Sequence, residues 1–361
     1  MATLSRTPID TQAELRSSNY FDHWPPYVFY FPVIVCYLLL SCRHKSLTLP
    51  SVANPEFPES KCDSLDLIPD ALARWVGRYQ RFHSNEEPAQ RADAAQKCIN
   101  DAGLTYPLVI KPDLGLKGIG VAQLDDKQAL DNYLQRHEGA GDFQFQEYID
   151  WPGEAGAFYI RMPGKAKGRI VSLAFKFPAS VTGDGRSPLK ALIEVKEIPR
   201  TKKKLFLSHN RHRLEQVIKK GKTFPLMFVR NHDQGGVYRN GRAWITTELN
   251  NRFDEIARAI PNFYYGRFDV KFETMDTFAK GQQFKIIEIN GASSEAGHIF
   301  DANARLGRVY LSYFKRLNRL FAISIANCRR GYRPVSLKTA IANQRDVFEF
   351  VNKGLYGKKD T

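Results

Sequence analysis

The apolar positions of the chain are unevenly distributed, and the longest apolar run lies near the N-terminus. Residues 27–42 read YVFYFPVIVCYLLLSC, in which only Pro32 and Ser41 fall outside the apolar set. A helix of this length spans about 24 Å, which is less than the roughly 30 Å hydrocarbon core of a bilayer. Three interpretations therefore remain open: a buried core helix, a monotopic or re-entrant membrane anchor, and a short transmembrane span.

The residues on either side of this run favour a membrane interface. Its front edge carries Trp24, Tyr27 and Tyr30, and its end is followed by Arg43, His44 and Lys45. Aromatic residues concentrate at membrane interfaces, and positive charges remain on the cytoplasmic side. A secretory signal is disfavoured, because the charges follow the apolar run and no small-residue cleavage site comes after it. We therefore expect a cytoplasmic protein, which an anchor or a span at residues 27–42 would attach to a membrane.

The segments that follow differ in their spacing of apolar residues. Residues 47–61 contain three prolines and no periodicity, which predicts an extended linker. Residues 67–82 place apolar side chains at helical spacing, and residues 86–102 form a polar, Ala-rich stretch of the same kind. Two further helices, at residues 67–82 and 86–102, are therefore predicted after the apolar run.

A short apolar run at residues 106–111 ends in a cation. It reads YPLVIK, which predicts a buried strand with Lys111 at its end. The following loop contains Gly115, Gly118 and Gly120, and a second strand is predicted from residue 119. Glycines let backbone N–H groups approach phosphate oxygens closely, so this strand–loop–strand unit is typical of a flap over a nucleotide.

Two later segments predict a pair of strands with chemistry on one face. Residues 263–272 read FYYGRFDVKF, so that Arg267, Asp269 and Lys271 alternate with apolar residues. Residues 284–290 read FKIIEIN, which places Glu288 and Asn290 on one face of a second strand. In an antiparallel pair, the two carboxylates and the amide oxygen converge. These are hard ligands suited to Mg²⁺ between phosphates, although ordinary alternation on a surface strand gives the same pattern.

Composition narrows the class of protein. The chain has 361 residues with 43% apolar side chains, enough for a sizeable core and two or three domains. Five cysteines without C-x-x-C spacing argue against a disulfide scaffold or a cysteine metal site. The net charge of +15 indicates an anionic partner, and residues 200–222 hold nine Lys or Arg against one acid. Aromatic residues are not interleaved with these charges, so nucleic acid is not expected as a partner.

Taken in order along the chain, these motifs resemble the ATP-grasp fold, in particular its D-alanine–D-alanine ligase-like branch. The motifs are Lys111 before the glycine loop, FQEYI at 145–149 followed by Glu154, GRFDVKF at 266–272 and EIN at 288–290. Residues 175–193 also resemble a GDG-plus-helix segment of some peptide-forming ATP-grasp ligases. The resemblance implies an α+β fold in which two α+β subdomains clasp ATP. The implied division is 1–66 for an N-terminal segment with the apolar helix and linker, 67–330 for the ATP-grasp domain, and 331–361 for a helical tail.

The resemblance also implies a role for each matching residue. Lys111 and the loop residues Gly115, Lys117, Gly118 and Gly120 would bind the phosphates of ATP, while Glu147, Tyr148 and Ile149 would line the adenine and Glu154 the ribose. Lys176 would make a second phosphate contact and a catalytic one, and Arg267 would face the γ-phosphate in the transition state. Asp269, Glu288 and Asn290 would hold one or two Mg²⁺.

The acceptor end is defined less well. Ser293 and Ser294 lie where relatives bind an acceptor carboxylate, or else they are ordinary loop hydroxyls capping a helix. His232, in VRNHDQGG, contacts substrate or is a solvated loop histidine. Here the apolar run and linker stand where relatives carry a first α/β domain, so the resemblance does not transfer their substrates.

The implied reaction is an ATP- and Mg²⁺-dependent ligation of a small carboxylate to an amine through an acyl phosphate. Two alternatives remain open at this stage. One is an ATP-grasp kinase that phosphorylates a hydroxyl acceptor, and the other is a membrane-associated ATP-binding module without turnover.

Overall fold

The computed structural model describes residues 19–83, 88–115, 117–137 and 141–342. Within these residues, helices are interspersed with strands that form antiparallel sheets, and the predicted α+β fold is confirmed. Two α+β subdomains face each other across a cleft, which is the arrangement predicted for an ATP-grasp fold. The tail predicted at 331–361 lies outside the described residues from 343 onward.

The first subdomain is a four-stranded antiparallel sheet with the order β1–β4–β2–β3, covered by two helices. Its elements are β1 (Tyr79–Phe82), α3 (Pro88–Asp101), β2 (Leu108–Pro112), β3 (Ala122–Leu124), α4 (Lys127–Arg136) and β4 (Phe143–Glu147). Strand β2 is buried along its whole length, as its apolar run predicts, and its side chains join those of Ile99 and Leu130 in one core cluster. This places Lys111 at the cleft end of a rigid strand.

The second subdomain is a five-stranded antiparallel sheet with the order β11–β10–β5–β6–β9. Its elements are β5 (Gly153–Ile160), β6 (Arg169–Phe177), β9 (Val237–Asn240), α7 (Thr247–Ala259), β10 (Tyr265–Phe272), α8 (Met275–Ala279) and β11 (Phe284–Asn290). On β10, Phe268 and Val270 pack with Phe253 of α7, while Tyr265 packs with the long C-terminal helix α9 (Leu306–Arg329). Because successive side chains of β10 point to opposite faces, one face of the sheet packs against α7 and the other against α9.

A smaller unit follows β6 and carries the basic stretch. It contains β7 (Ser180–Thr182), α5 (Leu189–Glu194), α6 (Arg200–His209) and β8 (Thr223–Pro225), around a core that includes Leu189, Ile193 and Phe206. The Asp184 carboxylate accepts hydrogen bonds from the backbone N–H groups of Arg186, at 2.8 Å, and Ser187, at 2.7 Å. This turn before α5 is the GDG-plus-helix segment that the sequence predicts.

The apolar run forms helix α1 (Pro26–Arg43), which packs along α9 by one face only. Phe29 is buried against Tyr313 and Val309, whereas the opposite face is open. The exposed large apolar side chains of that face are Tyr27, Val28, Phe31, Ile34, Val35, Leu38 and Leu39. By length and hydropathy α1 is long enough to cross a membrane, and 17% of it is buried. A fully buried core helix is therefore not what the structure contains.

Two predicted elements differ from the structure. Residues 67–82 are not one helix: a 3-10 helix at Asp70–Trp75 ends before Gly77, and the chain continues as β1. Pairing of β1 with β4 outweighs the helical spacing, since β1 gains a full ladder along the sheet edge. Residues 47–61 are not extended either. They carry a 3-10 helix at Leu49–Val52, and helix α2 (Lys61–Asp66) begins at their last residue. Between the two helices, the Asn54 carboxamide binds the backbone of β10.

Candidate active site

A cavity of about 750 Å³ opens between the two subdomains. It brings together residues from β2, β4, β6, β10 and β11 with the loops that follow them. Every site residue predicted from the sequence lines it except Gly120. The predicted residues on its wall are Lys111, Gly115, Lys117, Gly118, Glu147, Tyr148, Ile149, Glu154, Lys176, His232, Arg267, Asp269, Glu288, Asn290, Ser293 and Ser294.

Asp269 is the centre of the most tightly paired part of this wall. Arg267 donates two hydrogen bonds to its carboxylate, from Nε at 2.8 Å and from Nη2 at 2.9 Å, and Lys176 Nζ lies 3.0 Å from Oδ1. Burial alone would raise the pKa of Asp269, but the charges of Arg267 and Lys176 outweigh it and lower the pKa to about 2. Two cations and one anion thus form a fixed, net positive group.

Glu288 lies directly opposite Asp269 across the β10–β11 ladder, and Asn290 lies opposite Arg267. The predicted antiparallel pairing is therefore present. In the described part of the chain, no hydrogen bond or ion pair is formed by the Glu288 carboxylate, which faces the cavity. The Asn290 amide lies 3.2 Å from Asp269 Oδ2.

The donor set of this wall is suited to one kind of metal ion. Among the described residues, no group of three or more His, Cys, Asp or Glu side chains could hold a metal. The set available is two carboxylates and one amide, and of the two carboxylates only Glu288 is without a hydrogen bond or ion pair to the described residues. That set suits Mg²⁺, which takes one or two carboxylates, keeps several waters and shares phosphate oxygens.

Lys111 reaches the cavity from the opposite sheet. Its Nζ donates to Gln146 Oε1 at 2.6 Å and to the carbonyl of Ile287 at 3.0 Å. Burial lowers the pKa of Lys111 to about 8, although the nearby charge of Glu288 acts in the other direction. Both hydrogen-bond partners of this buried ammonium are neutral, and no described carboxylate forms an ion pair with it, so an anionic ligand in the cleft would supply its direct counter-ion.

The glycine loop closes over the cavity and contacts the loop at 229–236. Lys117 Nζ lies 3.2 Å from Asp233 Oδ1, and the Lys117 carbonyl accepts from Gln234 at 3.4 Å. A Cβ atom on Gly118 would lie 2.5 Å from Asn231 Nδ2, and its φ of +69° also favours glycine. Gly120 lies behind the flap, where its carbonyl accepts a hydrogen bond from Tyr133.

The β4 end of the cleft offers a flat apolar slot. Tyr148 and Ile149 line it together with Met227 and Phe228, and the rings of Tyr148 and Phe228 are 6.4 Å apart. The Glu147 carboxylate does not point freely into this slot, because it pairs with Arg78 at 2.9 Å. A ligand in this slot would therefore contact the backbone and the flanking side chains rather than the Glu147 carboxylate.

The cavity also contains cations that were not predicted as site residues from the sequence, among them Arg230, which pairs with the predicted Glu154, and Lys271. Glu154 lies 3.7 Å from Lys176 and 3.6 Å from Arg230, and Lys271 donates to the carbonyl of Trp151 at 3.0 Å. Lys271 lies two positions after Asp269 on the same face of β10, so the period-two pattern was the signal for it. Lys61 and Arg230 come from segments without any such pattern, and only the fold brings them to the cleft.

The remaining predicted residues lie at the far end of the cleft. His232 Nε2 is 3.5 Å from Asp22 Oδ1 and 3.4 Å from Lys202 Nζ, and its ring stacks on Phe300 at 4.3 Å. His232 is therefore not a solvated loop histidine. The Ser294 hydroxyl donates to the carbonyl of Gly291 at 2.6 Å, which stabilises its own turn. Ser293 is exposed on the cavity wall.

No family model matches this sequence, and no curated protein matches it. Similar solved structures include a D-alanine–D-alanine ligase from Bacillus anthracis, which is 14% identical, with 80% of this chain and 72% of that chain covered and a TM-score of 0.44. The VanG D-Ala:D-Ser ligase from Enterococcus faecalis is 15% identical, with 77% and 64% covered and a TM-score of 0.42. A bifunctional glutathione synthetase from Pasteurella multocida is 12% identical, with 71% and 36% covered and a TM-score of 0.36. This chain thus spans about a third of that synthetase's length, and the activities in these names are those of the three proteins.

Proposed function

We propose that the protein is an ATP-grasp enzyme that uses Mg·ATP to join a carboxylate to an amine through an acyl phosphate. The observation that carries the proposal is the grouping of Arg267 and Lys176 on buried Asp269, with Lys111 and Glu288 across the same cavity. Phosphoryl transfer requires in-line positioning and neutralisation of spread negative charge, and such a group supplies both.

In this proposal each wall of the cleft has one role. Tyr148, Ile149 and Phe228 enclose the adenine, and Glu154 binds the ribose hydroxyls. Lys111, Lys176 and the flap backbone hold the phosphates, while Arg267 stabilises the charge that develops on the transferred phosphoryl group. The substrate carboxylate attacks that group and displaces ADP, and the amine then attacks the acyl carbon and displaces phosphate. No protein nucleophile takes part.

The metal would be held by Asp269, Glu288 and Asn290. Bound there, Mg²⁺ would neutralise charge on the phosphate oxygens. Asp269 already pairs with Arg267 and Lys176, so Glu288 is the ligand with the most freedom to bind the ion.

The experiment that tests this function is trapping of the acyl phosphate. Purified protein is incubated with Mg·ATP and a panel of amino acids and short carboxylic acids, with and without hydroxylamine. We expect a hydroxamate and ADP with the cognate carboxylate. A stable phosphorylated product would instead indicate a kinase, and binding of ATP without ADP release would indicate a module without turnover.

The depressed pKa of Lys111 leads to a pH prediction. Below pH 8 the Lys111 ammonium is charged and binds phosphate. Bound phosphate raises the pKa of Lys111, so that above pH 8 the binding of Mg·ATP is accompanied by uptake of a proton. We expect the Kd of Mg·ATP to be flat below pH 8 and to rise by up to about tenfold per pH unit above it. Calorimetric titration across pH 6.5–9.5 measures this.

The control for this pH dependence is a second lysine of the same cavity, Lys271 on β10. Burial, with the charge of Arg230, lowers the pKa of Lys271 to about 8 as well. Lys111→Gln should remove the pH dependence and weaken binding by roughly 10–100-fold. A dependence that survives in Lys111→Gln and disappears in Lys271→Gln would assign the phosphate contact to Lys271 instead.

We also propose that the outer face of α1 docks on a membrane surface, on the cytoplasmic side. Side chains on this face are 73% exposed at Tyr27, 64% at Phe31 and 66% at Leu39, with no charged residue among them. A soluble monomer rarely exposes a contiguous apolar face of this kind to water. Trp24 at one end and Arg43 at the other suit the interfacial region, where a helix lies in the membrane plane.

A further inference from the structure

Glu295 lies on the wall of the cleft five positions after Asn290, and its environment is unlike that of the other acids there. Its backbone carbonyl accepts a hydrogen bond from Arg267 Nη1 at 3.0 Å, which ties it to the predicted catalytic arginine. Its carboxylate accepts from the hydroxyl of Tyr313 at 2.5 Å and from that of Tyr30 at 3.3 Å. The residue thus joins the cleft to both α9 and α1.

Among the described residues, the acids of the cleft other than Glu288 are paired with cations, whereas the Glu295 carboxylate is not. Asp269 pairs with Arg267 and Lys176, Glu154 with Arg230, and Asp233 with Lys117. In the described part of the chain, Glu295 receives hydrogen bonds from two neutral hydroxyls and forms no ion pair. The ammonium ion of a ligand would give this half-buried carboxylate a charged partner.

The two tyrosines orient the carboxylate by donating to it. Burial and the neighbouring charge of Glu295 raise the pKa of Tyr30, and the same causes raise that of Tyr313. Both hydroxyls therefore stay protonated and donate to the carboxylate. Tyr30 comes from the inner face of α1, so the N-terminal segment supports the cavity wall from behind at Glu295.

We propose that Glu295 binds the amine-bearing substrate as its ammonium ion at this end of the cleft, and that Tyr30 and Tyr313 position the carboxylate. The proposal rests on the ligase function proposed above and adds to it the group that recognises the amine. It also gives the N-terminal segment a role in the site, since Tyr30 contacts Glu295 and Asp22 contacts His232, and both partners line the cavity.

The test compares amines with their hydroxyl counterparts, which differ in charge but hardly in shape. Binding of alanine against lactate, and of ethanolamine against ethylene glycol, is measured by calorimetry with the protein saturated by a Mg·ATP analogue. We expect the wild-type protein to prefer the amine by roughly tenfold or more. In Glu295→Gln, which still accepts both tyrosine hydroxyls, the preference should fall to about onefold, with unchanged affinity for the nucleotide.

Tyr30→Phe tests the positioning role, and Tyr27→Phe is its matched control on the exposed face of the same helix. We expect the amine preference to fall in Tyr30→Phe by a few-fold and to be unchanged in Tyr27→Phe. A purely structural Tyr30 would lower the melting temperature and leave the preference intact, which would overturn the positioning role.

Other results overturn the amine site itself. A wild-type protein that shows no preference for either amine, or a Glu295→Gln variant that keeps the preference, excludes Glu295 as the amine ligand. A raised Mg²⁺ requirement in Glu295→Gln would make the residue a metal ligand instead. Failure of the ligase function is distinguishable, because it shows as absence of nucleotide binding or hydroxamate formation in the wild-type protein.

Discussion

Glu288→Gln is expected to abolish ATP turnover while the fold stays intact. The glutamine keeps the size of the side chain and its place opposite Asp269 on the β10–β11 ladder, but it removes the carboxylate with free oxygens. Substituting groups that only orient metal ligands costs 10–100-fold, so loss of a ligand should lower the rate of ADP release by about a hundredfold or more. Steady-state ADP release at saturating Mg·ATP measures it.

A matched control separates loss of the metal from loss of structure. Glu273→Gln changes a carboxylate just after the far end of β10, outside the cavity, and should leave turnover unchanged. Both variants should melt within a few degrees of the wild-type protein. A Glu288→Gln protein that releases ADP at the normal rate would show that the metal is not held at Glu288.

The chemistry of β10 and β11 was predictable because it is encoded locally. Period-two alternation places Arg267 and Asp269 on one face, and two such segments separated by a short connection pair as neighbours. The structure has this pairing, with Asp269 opposite Glu288. The same local logic located Lys111 at the end of a buried strand.

Contacts made by the N-terminal segment were not predictable in this way. Asp22, Tyr30 and Asn54 reach residues more than two hundred positions away along the chain, and nothing in the spacing of residues 19–66 indicates those partners. Glu295 was missed for a related reason. It follows two serines in a loop, where a carboxylate is unremarkable until Arg267 and the two tyrosines are seen around it.

The second large effect is expected from substitutions on the exposed face of α1, which should weaken membrane binding. Ile34→Glu combined with Leu38→Glu places two charges on the outer stripe, at side chains that are 50% and 46% exposed and therefore not needed for packing on α9. A charged side chain costs roughly 2.5–3.5 kcal/mol inside the apolar region of a membrane. We expect the double variant to move from the membrane fraction to the soluble fraction with its Mg·ATP affinity unchanged.

The proposed cause of this shift can be separated from its alternatives by two measurements. Leu38→Ala with Ile34→Ala keeps the face uncharged and should remain at the membrane more than the double Glu variant does. Sedimentation of the wild-type protein in detergent-free buffer, without vesicles, tests whether a second copy covers the stripe instead. A discrete dimer that the charged variant converts to a monomer, with no binding of the wild-type protein to vesicles, would assign the face to self-association, since α1 would then bury its apolar side chains against another α1 rather than in lipid.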